Sequence, residues 1–167
     1  MTITLKPVRK TDEDGLLIMH WRNDPDTRKM SYNSEPKKWE TFEPIFKNSF
    51  FSNYVKPVFA CEGERKIAFV GFVGNSNCDE ETSSIVCKVG INVDPQRRGR
   101  GLGSTIISTC IEHVSQHYPL TKKIIAEIKP ENTISKKLFE RCKFRLSHMK
   151  TCNGQNMLVY EYDIAQV

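Results

Sequence analysis

The sequence predicts a mixed α/β (α+β) fold: a mostly antiparallel sheet with one splayed parallel pair of strands, flanked by about four helices. Apolar runs of strand length follow one another over residues 57–95. After residue 95, runs with helical spacing alternate with runs of strand length. A strand, a helix and a strand in succession imply a right-handed crossover between parallel strands, so the sheet is expected to be mixed.

The N-terminal segment predicts a strand followed by a short helix. Residues 2–8 (TITLKPV) alternate between apolar and polar side chains, as a half-buried strand does. The helix is expected over residues 11–23, with Thr11 or Asp12 as its N-cap and acidic residues in its first turn. Pro25 follows and should end it.

Residues 36–51 predict a second helix with an aromatic stripe. Pro36 suits a first turn, and Pro44 predicts a kink or a break. The aromatic residues at helical spacing are Trp39, Phe42, Phe46 and Phe50. This stripe is expected to belong to the hydrophobic core and not to stack on nucleic acid bases.

The remaining elements follow from the same periodicities. Three strands of an antiparallel meander are predicted at residues 57–62, 66–75 and 83–95. Then come a helix, a strand, a helix and two strands, at residues 103–117, 122–129, 131–142, 144–149 and 157–164.

Length and composition bound the class of protein. A chain of 167 residues fits one domain, expected to span residues 1–167. The net charge of +5 favours an anionic partner. No apolar run is long enough to span a bilayer, and no signal peptide precedes the first strand, so we expect a cytoplasmic protein that does not bind membranes.

The cysteines and histidines predict no metal site. None of the six cysteines forms a CxxC pair, and most are expected to be buried free thiols, which agrees with a reducing compartment. His113 and His117 have a spacing that could ligate a metal. Without a third ligand nearby, a solvated helix face is the preferred interpretation.

The segment QRRGRGLGS places arginines and glycines where a strand gives way to a helix. The first N–H groups of a helix lack internal partners, so such a turn favours an anion. A Walker loop would need a lysine between Gly103 and Ser104, and a dinucleotide fingerprint would need GxGxxG. Both are excluded by the spacing, while R-x-x-G-x-G is matched by Arg98, Gly101 and Gly103.

INVDPQRRGRGLGS resembles the acetyl-CoA-binding motif of the GNAT N-acetyltransferase superfamily, in which a strand with a β-bulge leads into a pyrophosphate-binding turn and a helix. A second stretch, NTISKKLFERCKF, resembles the superfamily's later motif. The residues in register with that motif are Asn132, Ser135, Leu138, Glu140 and Phe144. The order of predicted elements matches that fold over nearly the whole chain.

The resemblance implies acetyl-CoA as co-substrate, no metal, and a set of cofactor-binding residues. The pyrophosphate would bind backbone amides of Arg98, Gly99, Arg100, Gly101, Leu102, Gly103 and Ser104. Ile91 and Val93 would pair with the pantetheine arm, with the Ile91 N–H facing the thioester carbonyl. Asn132 and Phe139 would contact the cofactor. Lys137 would reach a phosphate, with a solvated helix face as the alternative.

The resemblance also indicates where a catalytic base and a catalytic acid are expected. Glu127, inside an apolar strand, is the candidate base, and the alternative is that it pairs with a lysine or arginine. Phe139 stands where many members of the family have a tyrosine that protonates the leaving thiolate. Alternatively, water protonates the leaving thiolate, or the thiolate leaves without being protonated. Candidate side chains for that acid are Tyr54, Tyr118, Tyr160 and Cys142.

The segment HWRNDPDTRKMSY resembles the corresponding stretch of GNAT enzymes that acetylate an amino group on a nucleotide-linked deoxysugar, such as those of pseudaminic acid synthesis. The substrate-binding residues it implies are Trp21, Arg22, Arg28, Met30 and Tyr32. The alternative is a core tryptophan with arginines paired at the surface.

Other acceptors and classes of function remain open at this point. Acetylation of protein N-termini, such as those of ribosomal proteins, is the alternative within the enzyme class. A CoA-binding sensor without catalysis and a basic nucleic-acid-binding module are alternatives from other classes. We expect a monomer or homodimer that binds a small-molecule amine and no nucleic acid.

Overall fold

The computed structural model describes residues 2–75 and 84–164. Within them, alternating and continuous apolar runs form seven strands: β1 (Ile3–Pro7), β2 (Val58–Glu62), β3 (Arg65–Asn75), β4 (Ile85–Val93), β5 (Thr121–Ile128), β6 (Arg145–Cys152) and β7 (Gln155–Asp163). The helices are α1 (Asp12–Arg22), α2 (Pro25–Lys29), α3 (Trp39–Ser49), α4 (Leu102–His117) and α5 (Thr133–Arg141). A single 3-10 turn, Pro95–Arg97, lies between β4 and α4.

The strands form one mixed sheet with the order β1-β2-β3-β4-β5-β7-β6. Strands β1 to β4 are antiparallel neighbours, and β4 and β5 are parallel. The mixed α/β fold, the meander and the crossover through α4 are therefore confirmed.

Two details of the elements differ from the sequence predictions. The described residues contain five helices, because Asp24 caps a further short helix, α2, in which Pro25 takes the first position. The helix α3 continues through Pro44 without a break. The predicted start of β4 at Ser83 lies outside the described residues.

The parallel pairing of β4 and β5 stops partway along both strands. The last pair is Lys88 with Ile125, although β4 stays paired to β3 through Val93 and β5 stays paired to β7 through Ile128. The two strands therefore separate towards their C-terminal ends. The bulge implied by the family resemblance is not found against β3, since the β3–β4 register is uninterrupted. A register shift occurs instead against β5, between Ile85 and Val86.

The sheet carries a hydrophobic cluster on each face. One cluster holds α4 and α5, with Ile106, Ile107 and Val114 buried against strand residues such as Ile124. The other holds α1 and α3, with Trp21 and Phe46 packed around Phe59 and Phe69. Residues two apart on a strand share a face, so each strand contributes side chains alternately to the two clusters. The aromatic stripe of α3 is confirmed as core at Phe42 and Phe46.

Four cysteines are buried free thiols, as expected: Cys61, Cys87, Cys110 and Cys142. Burial raises the pKa of the Cys87 and Cys110 thiols to about 12, so both are unreactive near neutral pH. Cys152 is half-buried, and Cys78 lies outside the described residues. No helix in the described ranges combines the length and apolar character needed to cross a bilayer.

Candidate active site

The edge of β4 that faces the gap between the separated strands carries free backbone amides. The Asp94 N–H donates to the Ile67 carbonyl on the β3 side at 2.8 Å, and the Ile85 N–H donates to the Leu120 carbonyl on the β5 side at 2.8 Å. Amide directions alternate along a strand. The N–H groups of Ile91 and Val93 therefore point towards β5, into the gap where β5 no longer pairs with them.

Two glycines shape the turn between β4 and α4. Gly99 and Gly101 have φ angles of +74° and +70°, in the left-handed region that glycine adopts without a steric penalty. Gly101 is the N-cap of α4, and no side chain caps that helix. The first amides of α4 are therefore available to an anion, and the helix dipole favours one there.

Gly103 has a different role, which is close packing between helices. It lies in the first turn of α4, and a Cβ atom at this position would come within 2.9 Å of Leu138 Cδ1 on α5. Leu102 is half-buried against the core, and the Ser104 hydroxyl donates to the Gly101 carbonyl at 3.4 Å. The motif thus holds α4 against α5 while its amides stay free.

The three arginines of the motif have three different environments. Arg97 is half-buried and pairs with Glu62 at 2.7 Å. The Arg98 side chain pairs with Asp24 at 2.7 Å and donates to the Thr27 hydroxyl, so it joins the turn to α2. Arg100 is exposed, and no other side chain in the described part of the sequence pairs with it. A cofactor phosphate would therefore find the free cation of Arg100 beside the backbone amides.

The second motif places its residues on α5. Asn132 caps this helix by accepting a hydrogen bond from the Ser135 N–H at 3.1 Å, which leaves its Nδ2 group available for a ligand. Lys137 is exposed. Phe139 is only 4% exposed, and its ring packs against Phe144 with centroids 5.0 Å apart. The residue at the tyrosine position is thus a core side chain without a proton to donate.

Glu127 lies at the centre of a charged network on the α1–α3 face of the sheet, beside the gap between β4 and β5. The Tyr32 hydroxyl donates to its Oε2 atom at 2.7 Å, and Lys150 Nζ donates to its Oε1 atom at 2.6 Å. Lys88 Nζ lies 3.7 Å from Oε1. The Glu127 side chain is 7% exposed. The lysine pairing that was the alternative interpretation of Glu127 is therefore observed, and its role as a base stays a prediction.

These neighbours keep Glu127 ionised. Burial would raise the pKa of its carboxyl, but the hydrogen bonds from Lys150 and Tyr32 and the charge of Lys88 outweigh burial and lower that pKa. Burial, followed by the hydrogen bond to Glu127, raises the pKa of Tyr32. At neutral pH the network therefore holds a carboxylate and a protonated phenol.

The segment expected to bind the acceptor reaches this network through Tyr32. Trp21 does not: it is 3% exposed and packs edge-on against Phe59, so it belongs to the core and is removed from the predicted acceptor contacts. The Arg28 guanidinium donates to the Asn23 and Ser34 carbonyls and stabilises the turn after α2. Met30 ends α2 and is half-buried.

Arg22 lies at the end of α1 and faces β4. Its Nε donates to Asn92 Oδ1 at 3.2 Å. The guanidinium lies 5.0 Å from the centroid of the Phe50 ring and 5.5 Å from that of Phe69. Asn92 and Lys88 are four residues apart on β4 and share a face, so Arg22 and the Glu127 network border the same side of the sheet.

The other candidate acids are occupied elsewhere. Tyr160 is buried and donates to Glu140 at 3.0 Å. Tyr54 and Tyr118 pack edge-on against each other, and their oxygens accept bonds from the Leu120 and Lys56 amides near the N-terminal end of β5. Burial raises the pKa of Cys142. Tyr32 was expected to contact substrate and not to serve as acid, yet it is the tyrosine bonded to Glu127.

Sequence reasoning missed Lys88, Lys150 and Asn92. Lys88 and Asn92 interrupt an apolar run in β4, in the same way that Glu127 interrupts β5. Polar residues inside apolar strands are the signal that could have identified the first two. Lys150 lies on an exposed edge strand and carries no such signal.

Separated parallel strands, free strand amides and an uncapped helix after a glycine turn are the features that the resemblance to the GNAT superfamily implies. The family model described as "Acetyltransferase (GNAT) domain" matches residues 2–145, and the chain belongs to this family. It is therefore an acetyltransferase that uses acetyl-CoA. A comparison with curated proteins gave no match.

Solved structures share the fold over nearly the whole chain. The aminoglycoside acetyltransferase AAC(6')-Ib, in complex with ribostamycin and coenzyme A, has a TM-score of 0.80 and 17% identity, with 98% of this chain and 94% of that chain covered. Spermidine N-acetyltransferase from Vibrio cholerae, in complex with CoA and spermine, has a TM-score of 0.79 and 17% identity, with 97% and 95% covered. An N-acetyltransferase from Staphylococcus aureus Mu50 has a TM-score of 0.75 and 20% identity, with 99% and 100% covered.

Proposed function

We propose that this acetyltransferase transfers the acetyl group to a primary amine, that of a nucleotide-linked amino (deoxy)sugar, by direct attack on the thioester. The observation that carries the proposal is the hydrogen bond between Tyr32 and Glu127. It joins the segment that resembles the acceptor-binding stretch of nucleotide-sugar acetyltransferases to the gap between β4 and β5. The names of the similar structures, which specify aminoglycosides and spermidine, support an amine acceptor in general.

The chain's own groups supply two functions for the transfer. The Ile91 N–H would donate to the thioester oxygen, which gains negative charge as the amine attacks, and a fixed donor stabilises that charge more than the ground state. Glu127 would accept the proton that the attacking nitrogen loses, directly or through a water. The new C–N bond replaces the C–S bond, and CoA leaves as a thiolate. Because the pKa of a thiol is about 8.5, the thiolate is a stable enough leaving group that a strong acid is not needed.

Glu127 is suited to hold a proton only transiently. Lys150, Lys88 and Tyr32 lower the pKa of its carboxyl, so it is a weak base that is ionised over the whole neutral range. The amine nitrogen becomes strongly acidic only after it bonds to the acetyl carbon. A weak carboxylate base is therefore adequate at that stage, and the positive charges around Glu127 favour an acceptor that arrives as the neutral amine.

The test is a turnover assay that follows free thiol release from acetyl-CoA. The acceptors are nucleotide-linked amino sugars, the same sugars without the nucleotide, spermidine, an aminoglycoside and short peptides with free N-termini. We expect the nucleotide-linked amino sugars to have the highest kcat/KM. A peptide as the best acceptor would instead establish the protein N-terminal alternative. Acetyl-CoA binding by calorimetry without turnover on any amine would establish the sensor.

A further inference from the structure

The cleft, defined by Arg22, Gly90 and Glu127 on the α1–α3 face of the sheet, contains a cation that has no counter-ion among the described residues. The Arg22 guanidinium donates to the neutral amide of Asn92, its one polar side-chain contact within those residues. Within residues 2–75 and 84–164, no carboxylate pairs with Arg22. Burial lowers the pKa of its guanidinium to about 10. Its two terminal nitrogens have no partner in the part of the chain that the structure describes, so they remain available to a ligand.

A second cation is held beside Arg22 by the backbone. The Lys37 N–H donates to Asn23 Oδ1 at 2.7 Å, and Asn23 Nδ2 donates back to the Lys37 carbonyl at 2.9 Å. This two-bond clamp fixes the start of α3 against the end of α1. Burial, and then the like charges of Arg22 and Arg28, lower the pKa of Lys37. The clamp therefore holds Lys37 at the end of α1, where its charge and that of Arg22 repel each other.

Arg22 and Lys37 are both half-buried. A partly desolvated charge without a partner lowers stability, and a second charge of the same sign nearby lowers it further. The rings of Phe50 and Phe69 offset part of this cost for Arg22, because a guanidinium over an aromatic face is attracted to it. The remaining donors of Arg22 match an oxyanion, since a guanidinium binds phosphate or carboxylate through two parallel hydrogen bonds.

The position of this pair is next to the reaction site. Asn92, which orients Arg22, directly follows Ile91 on β4, and their side chains point to opposite faces of the sheet. Between Asn92 and Lys88 lies Gly90, where an added Cβ would meet no atom within 4 Å. The floor of the cleft between Arg22 and the Glu127 network is therefore open to a ligand.

We infer that Arg22 and Lys37 form a subsite for an oxyanion of the acceptor, a phosphate or a carboxylate, while its amine lies at the Glu127 side of Gly90. This inference rests on the proposed function and names the charge of the acceptor. In a nucleotide-linked sugar the oxyanion is the diphosphate. The same pair of cations disfavours polycationic amines such as spermidine, since like charges in a partly buried site repel.

The direct test measures anion binding by the CoA-saturated protein, because bound CoA occupies the pyrophosphate-binding turn. Uridine diphosphate, inorganic pyrophosphate and succinate are titrated calorimetrically against the wild type, Arg22→Gln, Lys37→Met and the control Lys38→Met. Lys38 is the exposed neighbour of Lys37, and Lys38→Met removes the same charge as Lys37→Met. We expect saturable binding of the phosphates, weakened about tenfold or more in the first two variants and unchanged in Lys38→Met.

Each outcome has a defined meaning. No saturable binding of any oxyanion, or equal weakening in Lys38→Met, overturns the subsite. Binding of succinate alone supports the subsite and identifies a carboxylate acceptor in place of a nucleotide-linked one. If Arg22→Gln fails to fold, Lys37→Met still decides, because Lys37 is held through its backbone and its side chain can be exchanged. Turnover of amines without anion binding leaves the acetyltransfer proposal standing and removes only the subsite.

A kinetic measurement separates this role from a structural one. Lys37→Met should raise KM for a nucleotide-linked amino sugar about tenfold and leave KM for the same sugar without the nucleotide unchanged. With spermidine, KM should stay the same or fall. An equal rise of KM for all three acceptors would show that Lys37 only supports the fold.

Discussion

Gly99, Gly101 and Gly103 are one residue type with two physical roles. The first two adopt left-handed backbone angles in open space, so they shape the turn that leaves the α4 amides free. The third has an ordinary φ angle and is small because Leu138 leaves no room for a Cβ. The spacing of the motif predicts an anion-binding turn, but only the packing of α5 shows that its last glycine serves the contact between helices.

Gly103→Ala is expected to destabilise the protein by about 1 kcal/mol, because the new methyl overlaps Leu138 Cδ1 and the Leu138 side chain must shift to make room for it. Chemical denaturation of Gly103→Ala, Leu138→Ala and the double variant gives the measurement. The double variant should lose less free energy of unfolding than the sum of the two single variants. Strictly additive losses would show that the two side chains do not compete for the same space.

Glu127→Gln removes the carboxylate and keeps the side-chain size. If Glu127 accepts the proton of the attacking amine, kcat should fall by about 10²-fold or more, the scale of a general base. The affinity for acetyl-CoA should not change, because we expect it to depend on the turn between the C-terminal end of β4 and α4. Tyr32→Phe is the control within the network and should lower kcat less. An unchanged kcat in Glu127→Gln would leave Glu127 as a purely structural ion pair.

The pH dependence of stability follows from the sign of the Glu127 shift. Its folded pKa is lowered, so the stabilisation by Lys150 and Lys88 is fully present above the unfolded pKa and is lost as the pH falls through the folded pKa. The Tm of the wild type should exceed that of Glu127→Gln at neutral pH, and the difference should shrink as the pH falls below 4.5, the ordinary pKa of a glutamate. A pH-independent difference would contradict the ion-pair network.

Among the elements, α2 joins the turn that we expect to bind the cofactor to the segment that we propose binds the acceptor. Asp24 caps α2 through the Thr27 N–H and pairs with Arg98 of the anion-binding turn. Burial opposes ionisation of Asp24, but hydrogen bonds from Arg98 and Thr27 lower the pKa of its carboxyl. The short helix after Asp24 leads to Tyr32 at Glu127, so the ion pair connects the cofactor turn to the acceptor segment.

Asp24→Asn should uncouple this connection without removing the helix cap, because asparagine caps as well as aspartate. We expect that CoA binding slows hydrogen exchange of the α2 amides in the wild type and does so less in Asp24→Asn. The CoA dissociation constant should rise by up to about fivefold, the scale of an exposed ion pair. Asp26→Asn, an exposed acid on the same helix, is the matched control. Equal effects of both substitutions would show that α2 responds only to its overall charge.

In the whole molecule, the sheet separates the cofactor turn from the acceptor cleft. The α4 and α5 cluster covers one face, and the cleft with Arg22 and Glu127 opens on the other beside α1 and α3. In the proposed reaction, the thioester and the amine meet from opposite faces at the gap between β4 and β5. This division predicts that changes in the floor of the cleft affect the acceptor and not acetyl-CoA.

Gly90→Val tests that division. The valine side chain enters open space between Lys88 and Asn92 and meets no neighbouring atom at Cβ, so the fold should tolerate it. The acceptor loses that space, and its KM should rise about tenfold or more, while calorimetry should show unchanged acetyl-CoA affinity. Ala68→Val is unsuitable as a control because Ala68 is fully buried. Val73→Ile on the exposed part of β3 provides one.

The sequence by itself determined the class of fold, the meander, the crossover and the glycine turn. These features depend on local periodicity, on backbone angles that glycine favours and on unpaired helix amides, all of which a short stretch of chain specifies. It also marked Glu127 as an exception within an apolar strand.

Only the tertiary structure decided what these residues contact. Trp21 lies in the core, and Arg28 stabilises a turn through backbone carbonyls. Arg98 pairs with a residue that caps α2. Glu127 contacts Tyr32 and two lysines from other strands. Charges distant in sequence meet through strand order and register, which no local pattern encodes. The lack of a counter-ion for Arg22 within residues 2–75 and 84–164 is visible for the same reason: whether a cation has a counter-ion depends on what the fold places around it.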